Sequence, residues 1–285
     1  MPMPSASRTT LEPSVAKPTK PPKPPQRGRV SLVGAGPGDA DLLTVKAIKA
    51  IRSATVLLVD DLVGPDVLRY ARRSARVVQV GKRGGCVSTP QAFIHKLMVL
   101  EAERGETVVR LKGGDPFIFG RGGEEAEHLR AAGLDVVVVN GISSGLAAAT
   151  ALGVPWTHRD RAHGVLLVTG HAGAPRCELH WPTLAAAAAQ GLTLVVYMGV
   201  QQAAAIQAGL LGALPADTPA AWVQHVSTAH ERRLLSTLGR LVADASQAGI
   251  GSPAILIVGD VLRGAAAIVP GAQDMTQDPA IACLA

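Results

Sequence analysis

Residues 106–125 read ETVVRLKGGDPFIFGRGGEE, and this strand, loop and helix start decide the fold. Its apolar first part predicts a buried strand, and its last part predicts the start of a helix. Two glycine pairs and an Asp-Pro turn lie between them, around Phe117 and Phe119, two of the three phenylalanines in the chain. Because glycine lets the backbone approach a ligand closely, this loop is a candidate binding loop.

Strands and helices alternate on both sides of this unit. Five strands are predicted in the first half of the chain, in RVSLVGAG, TVLLVDDLV, ARVVQVG, ETVVRLKGG and LDVVVVNG. Segments with the apolar spacing of helices, such as LLTVKAIKAIRSA, lie between strands. The alternation predicts an α/β fold with a largely parallel sheet that is covered by helices. The second half repeats the pattern, and some antiparallel pairing is expected late in it.

The domain organisation follows from changes in composition. The polar, helix-breaking stretch VPWTHRD predicts a boundary between an N-terminal α/β domain, residues 29–157, and a second α/β domain, residues 158–268. Residues 1–28 contain eight prolines and are expected to form a disordered leader, because such a segment cannot bury a core. Residues 269–285 are expected to form a loose tail.

Composition excludes several classes of function. The formal net charge is +6, but the leader contributes +4 of it, five basic residues less one acid, so the high charge does not indicate a nucleic-acid partner. No apolar run is long enough to span a membrane. Cys86, Cys177 and Cys283 form no CxxC pattern, which favours a reducing cytoplasm. The scattered histidines predict no metal site.

The first glycine-rich loop, VSLVGAGPGDADLLT, has three possible interpretations. A dinucleotide site requires G-x-G-x-x-G running into a helix, whereas this loop has G-x-G-P-G-D. Pro37 removes an amide donor that a phosphate site would use. A structural turn therefore stays open as the alternative to a binding loop, and a phosphate loop is the least favoured.

Charged residues follow the next two strands. Asp60 and Asp61 end the second strand, where a carboxylate could act as a general base or cap the next segment. Lys82 follows the third strand and could bind an anion, donate a proton or lie in a solvated turn. Glu124 and Glu125 stand in the first turn of a helix, where the helix dipole favours acids. Because parallel strands end at one edge, the strand-end loops predict a single crevice.

Seven motifs carry a resemblance to a known family. LVGAGPGDADLLT, VDDLV, VGKRGG, VVRLKGGDPFIFGRGGEE, GVPWTHRD, VTGH and VYMG occur in the order and at the spacing of the tetrapyrrole methylases. The resemblance covers about residues 29–261. The long RLKGGDPFIFGRGGEE motif resembles the members that methylate uroporphyrinogen III more than those acting on later corrin intermediates, diphthine or ribosomal RNA.

The resemblance implies a fold and an activity. The family fold has two α/β domains with the active site in the cleft between them. S-adenosylmethionine is the methyl donor, and S-adenosylhomocysteine is the product. Two pyrrole carbons of uroporphyrinogen III are methylated, giving precorrin-2 by way of precorrin-1 for sirohaem and cobalamin synthesis. A cytoplasmic homodimer is implied, with no membrane or nucleic-acid partner.

The resemblance also assigns site residues. It places the catalytic base on Asp60 and a proton-donating lysine on Lys82. The implied contacts with S-adenosylmethionine are Pro37, Gly113, Gly114, Asp115, Ile118, Ser143, Ser144 and Met198. This chain departs from the family at Val226, where a glycine near the cofactor is common, and at Val59, where a tyrosine is common.

Four other functions compete with this interpretation. A methyltransferase acting on a later corrin intermediate is the nearest alternative. A nicotinamide oxidoreductase would need the fingerprint that the first loop lacks, and few aromatic residues are present to stack bases in a nucleic-acid-binding protein or RNA methyltransferase. A non-catalytic sensor of S-adenosylmethionine would not need both Asp60 and Lys82.

Overall fold

The first half of the chain builds a five-stranded parallel sheet. The computed structural model describes residues 27–81, 89–171 and 179–265. The strands run in the order β3-β2-β4-β1-β5. Their bounds are β1 Arg29–Gly34, β2 Val56–Val59, β3 Arg76–Gln79, β4 Thr107–Lys112 and β5 Val136–Val139. All five predicted strands are present, which confirms the predicted α/β class.

The register of this sheet brings the strand-end loops together. The central strand β4 pairs with β1 on one side and with β2 on the other, so that Leu111 lies opposite both Val33 and Val59. Every pair in the sheet is parallel. The loops that follow β1, β2, β4 and β5 therefore leave the sheet at the same edge, which is where parallel sheets place their sites.

Four helices follow strands of the first sheet along the chain. They are α1 Val45–Ser53, α2 Gln91–Glu103, α3 Gly122–Ala131 and α4 Ser144–Leu152. The helix α1 begins after Thr44, whose hydroxyl accepts a hydrogen bond from the Ala47 amide at 3.1 Å. Such a side-chain cap satisfies one of the amides that a helix start leaves without a partner. The apolar faces of the first three helices pack on the sheet and bury its two faces.

The second half of the chain builds a mixed sheet in the order β6-β7-β10-β8-β9. Its strands β6 and β7 are parallel, and the other pairs are antiparallel, as expected for the end of the chain. The strands are β6 Gly164–Thr169, β7 Leu192–Tyr197, β8 Pro219–Gln224, β9 Arg232–Thr237 and β10 Ala254–Val258. The helices are α5 Trp181–Ala188, α6 Ala203–Leu210 and α7 Leu241–Gln247.

The helix α4 joins the two halves. It follows β5 in the chain, yet its buried alanines, such as Ala148, pack in one cluster with Val195 and Ile257 of the second sheet. Alanine and glycine dominate α4, so that the helix can lie close to the strands. The domain boundary between residues 157 and 158 stays a prediction, and the predicted leader and tail lie mostly outside the described residues.

Membrane insertion through a helix finds no support in the part of the chain that the structure describes. None of the helices there has both the length and the apolar character that a membrane span needs.

Candidate functional site

Backbone segments of three loops meet at the carboxyl edge of the first sheet. Gly36, after β1, and Gly114, after β4, form an antiparallel bridge in which each amide donates to the other's carbonyl, at 3.2 and 2.7 Å. A Cβ atom on Gly141, after β5, would overlap the Gly114 carbonyl oxygen and crowd the backbone of Gly34. We call Gly34, Gly36, Gly114 and Gly141 the glycine junction. A side chain at Gly34 or Gly141 would force the loops apart, whereas Gly36 and Gly114 have positive φ angles of 76° and 66° that favour glycine.

Asp115 fixes the geometry of this junction. Its buried carboxylate accepts hydrogen bonds from the Phe117 amide at 2.8 Å, the Asn140 side-chain amide at 3.2 Å and the Gly141 amide at 3.1 Å. The loop after β4 is thereby tied to the loop after β5. Because the carboxylate is already used in this way, any ligand contact of Asp115 would come from its backbone.

The second sheet reaches the same place through Tyr197, the last residue of β7. The Tyr197 hydroxyl lies 2.7 Å from the Ser143 hydroxyl, and a Cβ on Gly145 would overlap the phenol. The Tyr197 ring also packs on Phe119, with the ring centroids 4.8 Å apart. Burial raises the pKa of Tyr197, so the phenol stays protonated and can donate a hydrogen bond. The Ser143 hydroxyl is therefore hydrogen-bonded within the protein.

Apolar side chains are exposed around the junction. Phe117 and Phe119 are 51% and 41% exposed, Met198 is 50% exposed, and Leu62 is 59% exposed. Exposed side chains of this size in one region indicate a ligand surface. Met198 has φ 53°, a left-handed conformation that is uncommon outside glycine and that suits a functional position. Ile118 instead packs against the buried cluster below α4.

The loop after β1 contacts the hairpin between β8 and β9. A Cβ on Gly38 would overlap Thr228 and lie against the carbonyl oxygens of Val226 and Ser227. The side chain of Val226 is buried in the cluster below α4, so only its backbone lies next to the first loop. Pro37, beside Gly38, is half-buried. The two halves of the chain thus close around this loop.

A charged pocket lies beside the glycine junction. The carboxylate of Asp60 is 28% exposed and accepts a hydrogen bond from Arg110 Nη2 at 3.3 Å. Burial and the neighbouring Asp60 carboxylate raise the pKa of Asp61. The pocket has a volume of about 210 Å³ and is lined by Asp60, Asp61, Val80, Gly81, Thr89, Gln91, Ile94, Arg110, Lys112, Gly120 and Arg121.

Buried charges form the wall behind Asp60. Glu125 is fully buried, and its Oε1 accepts from Arg110 Nε at 3.3 Å, Lys112 Nζ at 3.0 Å and Gln91 Nε2 at 2.9 Å. Burial, followed by repulsion from Arg110, lowers the pKa of Lys112. The sequence motifs had assigned Glu125 only to the dipole of α3. The sequence feature that indicates this buried charged group is the two-residue spacing of Arg110 and Lys112, which places both side chains on one face of β4.

A larger cavity lies on another side of the loops that form the glycine junction, since Leu42 and Ile142 are in its lining. Its volume is about 400 Å³, and its walls come from α4, the β8–β9 hairpin and Leu42. The charged groups in its lining, Glu231 and Arg233, pair with each other at 2.6 Å. The smaller pocket, which holds the partly exposed Asp60, is therefore the better candidate for acid–base chemistry.

The structure brings Gly114, Asp115 and Ser143 of the predicted site together around Gly141. Asp60 lies in the charged pocket, and Ser143 and Ser144 follow β5. Met198 comes from the second sheet. Lys82 lies outside the described residues. Among the residues that are described, no three His, Cys, Asp or Glu side chains are grouped to hold a metal ion.

Comparisons with known proteins agree on one family. The sequence model of the tetrapyrrole (corrin/porphyrin) methylases matches residues 29–242. A uroporphyrinogen-III C-methyltransferase of Pseudomonas aeruginosa is 54% identical over 237 residues, 83% of this chain and 95% of that protein. A siroheme synthase of Edwardsiella ictaluri is 48% identical over 241 residues, 84% of this chain and 51% of the synthase.

The fold also has a solved relative. The uroporphyrin-III C-methyl transferase of Thermus thermophilus, solved in complex with S-adenyl homocysteine, is 40% identical to this chain with a TM-score of 0.70. The alignment covers 83% of this chain and 100% of the Thermus thermophilus chain.

The close approach of the loops at the glycine junction leads to the first testable prediction. Gly141→Ala is expected to lower the free energy of unfolding by about 1–3 kcal/mol, because the new methyl group overlaps backbone that cannot rotate away. Gly123→Ala is the matched control, since a Cβ there meets nothing within 4 Å. That helical change is expected to be neutral or to stabilise by up to about 1 kcal/mol. Urea unfolding measures both, and equal effects would contradict the close approach of the loops.

Proposed function

The chain belongs to the tetrapyrrole (corrin/porphyrin) methylases, and on that premise we propose that it methylates two pyrrole carbons of uroporphyrinogen III with S-adenosylmethionine. The product is precorrin-2, formed by way of precorrin-1. The observation that carries the proposal is the partly exposed Asp60 carboxylate, in the charged pocket beside the glycine junction. A carboxylate in that position can accept the proton that C-methylation of a pyrrole must release.

The glycine junction fits a cofactor that is bound by backbone. Gly114 and Gly141 are partly exposed and leave a surface from which side chains are absent, and Tyr197 and Asp115 hold that surface in place. We propose that the cofactor is held by Pro37, Gly113, Gly114, Asp115, Ile118, Ser143, Ser144 and Met198. Asp115 and Ser143 would contribute backbone groups, because their side chains are already hydrogen-bonded within the protein. S-adenosylmethionine supplies a methyl group on a positively charged sulfonium.

The charge at the pocket and the exposed apolar residues match the chemistry of the substrate class. Uroporphyrinogen III is a large, flexible ring system that carries eight carboxylates. The exposed Arg121 lines the pocket and supplies positive charge, and Phe117 and Phe119 of the same loop supply exposed apolar surface. Binding that aligns the reacting carbon and excludes water is the main contribution that a methyltransferase fold can make to the rate.

The methyl group passes between the two bound molecules, and the side chains of this protein contribute the proton transfers. The pyrrole β-carbon is enamine-like and attacks the donated methyl group, so that a carbon–carbon bond forms as the bond between sulfur and the methyl carbon breaks. The methylated ring must then lose a proton, and Asp60 accepts it. Lys82 is proposed as a proton donor to the ring system; its position lies outside the described residues.

The decisive experiment is an anaerobic incubation of the chain with enzymatically generated uroporphyrinogen III and S-adenosylmethionine. Mass spectrometry after oxidation is expected to show a gain of two methyl groups, because the two pyrrole carbons are methylated one after the other. No gain, with the cofactor still bound, would contradict the proposed acceptor and favour a later corrin intermediate.

Asp60 can be tested by a conservative substitution. Asp60→Asn is expected to slow methylation by roughly 10²–10⁴-fold, the usual loss when a general base is removed. Binding of S-adenosylmethionine, measured by calorimetry, is expected to stay unchanged, because Asp60 is not among the proposed cofactor contacts. Asp61→Asn is the matched control and should lose little activity. Equal losses in the two variants would contradict the assignment of the base to Asp60.

We also propose that the protein is a cytoplasmic homodimer. The family resemblance supports the dimer, and the spacing of the cysteines supports a reducing compartment. Light scattering on the purified chain is expected to give twice the 29.3 kDa mass of one chain. A particle of 29.3 kDa at micromolar concentration would contradict the dimer.

A further inference from the structure

We propose that Arg110 is a positioning residue, which holds the Asp60 carboxylate at the pocket and is itself held by Glu125. This inference rests on the proposed function, because Asp60 is the base that it positions. Arg110 would act on the reaction through Asp60.

The contacts of Arg110 surround its guanidinium. Nη2 donates to Asp60 at 3.3 Å and Nε donates to Glu125 at 3.3 Å. Nη1 donates to the carbonyl oxygens of Leu111 at 3.1 Å and Leu58 at 3.5 Å. A planar guanidinium with acceptors on all three nitrogens has one orientation, which a lysine ammonium on a flexible stem could not reproduce.

The two side chains of the Arg110–Asp60 contact differ in burial. The side chain of Arg110 is 2% exposed, whereas that of Asp60 is 28% exposed. The arginine is therefore fixed inside the protein, and the carboxylate points from it toward the pocket. The Asp60 carboxylate also accepts from the Asp61 amide at 3.2 Å. Among the basic side chains of the described residues, Arg110 is the one that donates to Asp60.

Glu125 holds Arg110 in turn. It is fully buried on α3, and its Oε1 accepts from both Arg110 and Lys112. The two carboxylates and the two basic side chains balance in charge when all are ionised, so this buried group does not leave an uncompensated charge. No group in the described ranges donates a hydrogen bond to Glu125 Oε2. A glutamine amide nitrogen could take that position without facing another donor.

A positioning role predicts a specific kinetic pattern. Misplacing a catalytic group by about an ångström lowers the rate of the chemical step by up to about 10²-fold. The affinities for substrate and cofactor do not depend on that placement. Loss of the arginine fork should therefore lower kcat and leave KM nearly unchanged. This loss of kcat should also appear only while residue 60 can accept a proton.

The test is a double-mutant cycle between Arg110→Lys and Asp60→Asn, with initial rates of methylation as the readout. Arg110→Lys alone is expected to lower kcat by about 10- to 100-fold and to change KM and cofactor affinity less than about twofold. In the Asp60→Asn background the same change is expected to cost less than about twofold, because the group that it positions is already inactive.

Two further variants keep the test decisive. Arg240→Lys is the matched control, since Arg240 pairs with Asp244 at 2.7 Å on the surface, and it should keep the full rate. Glu125→Gln keeps Oε1 as an acceptor and removes the charge. It is expected to lower kcat by a smaller factor than Arg110→Lys, again without a further loss in the Asp60→Asn background. This variant replaces Arg110→Lys in the cycle if the latter does not fold.

The outcomes separate the positioning role from the proposed function. Equal losses from Arg110→Lys in both backgrounds would overturn the positioning role, because Arg110 would then act independently of Asp60. A rise in KM with unchanged kcat would overturn it as well, since Arg110 would then be a substrate-binding group. Full turnover by Asp60→Asn would show instead that the base assignment itself is wrong.

Discussion

The close approach of three backbone segments at the carboxyl edge of the first sheet is the constraint on which the rest of the site depends. Gly36 and Gly114 hydrogen-bond each other directly, and Gly141 lies against Gly114 with no room for a Cβ atom. The parallel register of β1, β4 and β5 sets the ends of these strands side by side. Glycine alone allows their loops to touch, and the touching loops leave a surface made of backbone.

The second sheet completes this surface. Tyr197 links the end of β7 to Ser143 and packs on Phe119, while α4 carries its alanine-rich face into the core of the second half. The two halves are thus joined by tightly packed contacts at the same edge where the strand-end loops meet. A ligand held there would contact both halves, as expected for a methylase whose active site lies in the cleft between its domains.

Charge is buried beside the glycine junction. Glu125, Arg110 and Lys112 are almost inaccessible to solvent, and removing one partner of such a group typically costs about 3–5 kcal/mol. Replacing a buried ion pair with well-packed apolar residues is often neutral or even stabilising, so stability alone does not explain why the charges are there. The contact of Arg110 with the partly exposed Asp60 offers a functional reason, since it would orient a carboxylate that faces the pocket.

The sequence by itself determined the α/β class, the positions of the five strands of the first sheet and the loops that carry the site. These features follow from local patterns: apolar runs of strand length, glycines after strands, and the long motif of residues 110–125. Only the tertiary structure decided the partners of these loops. The role of Asp115 as a clamp, the pairing of Ser143 with Tyr197, the packing of α4 on the second sheet and the burial of Glu125 all join residues far apart in the chain. Glu125 illustrates the limit, because an acid in the first turn of a helix has the same local pattern whether it faces solvent or two buried cations.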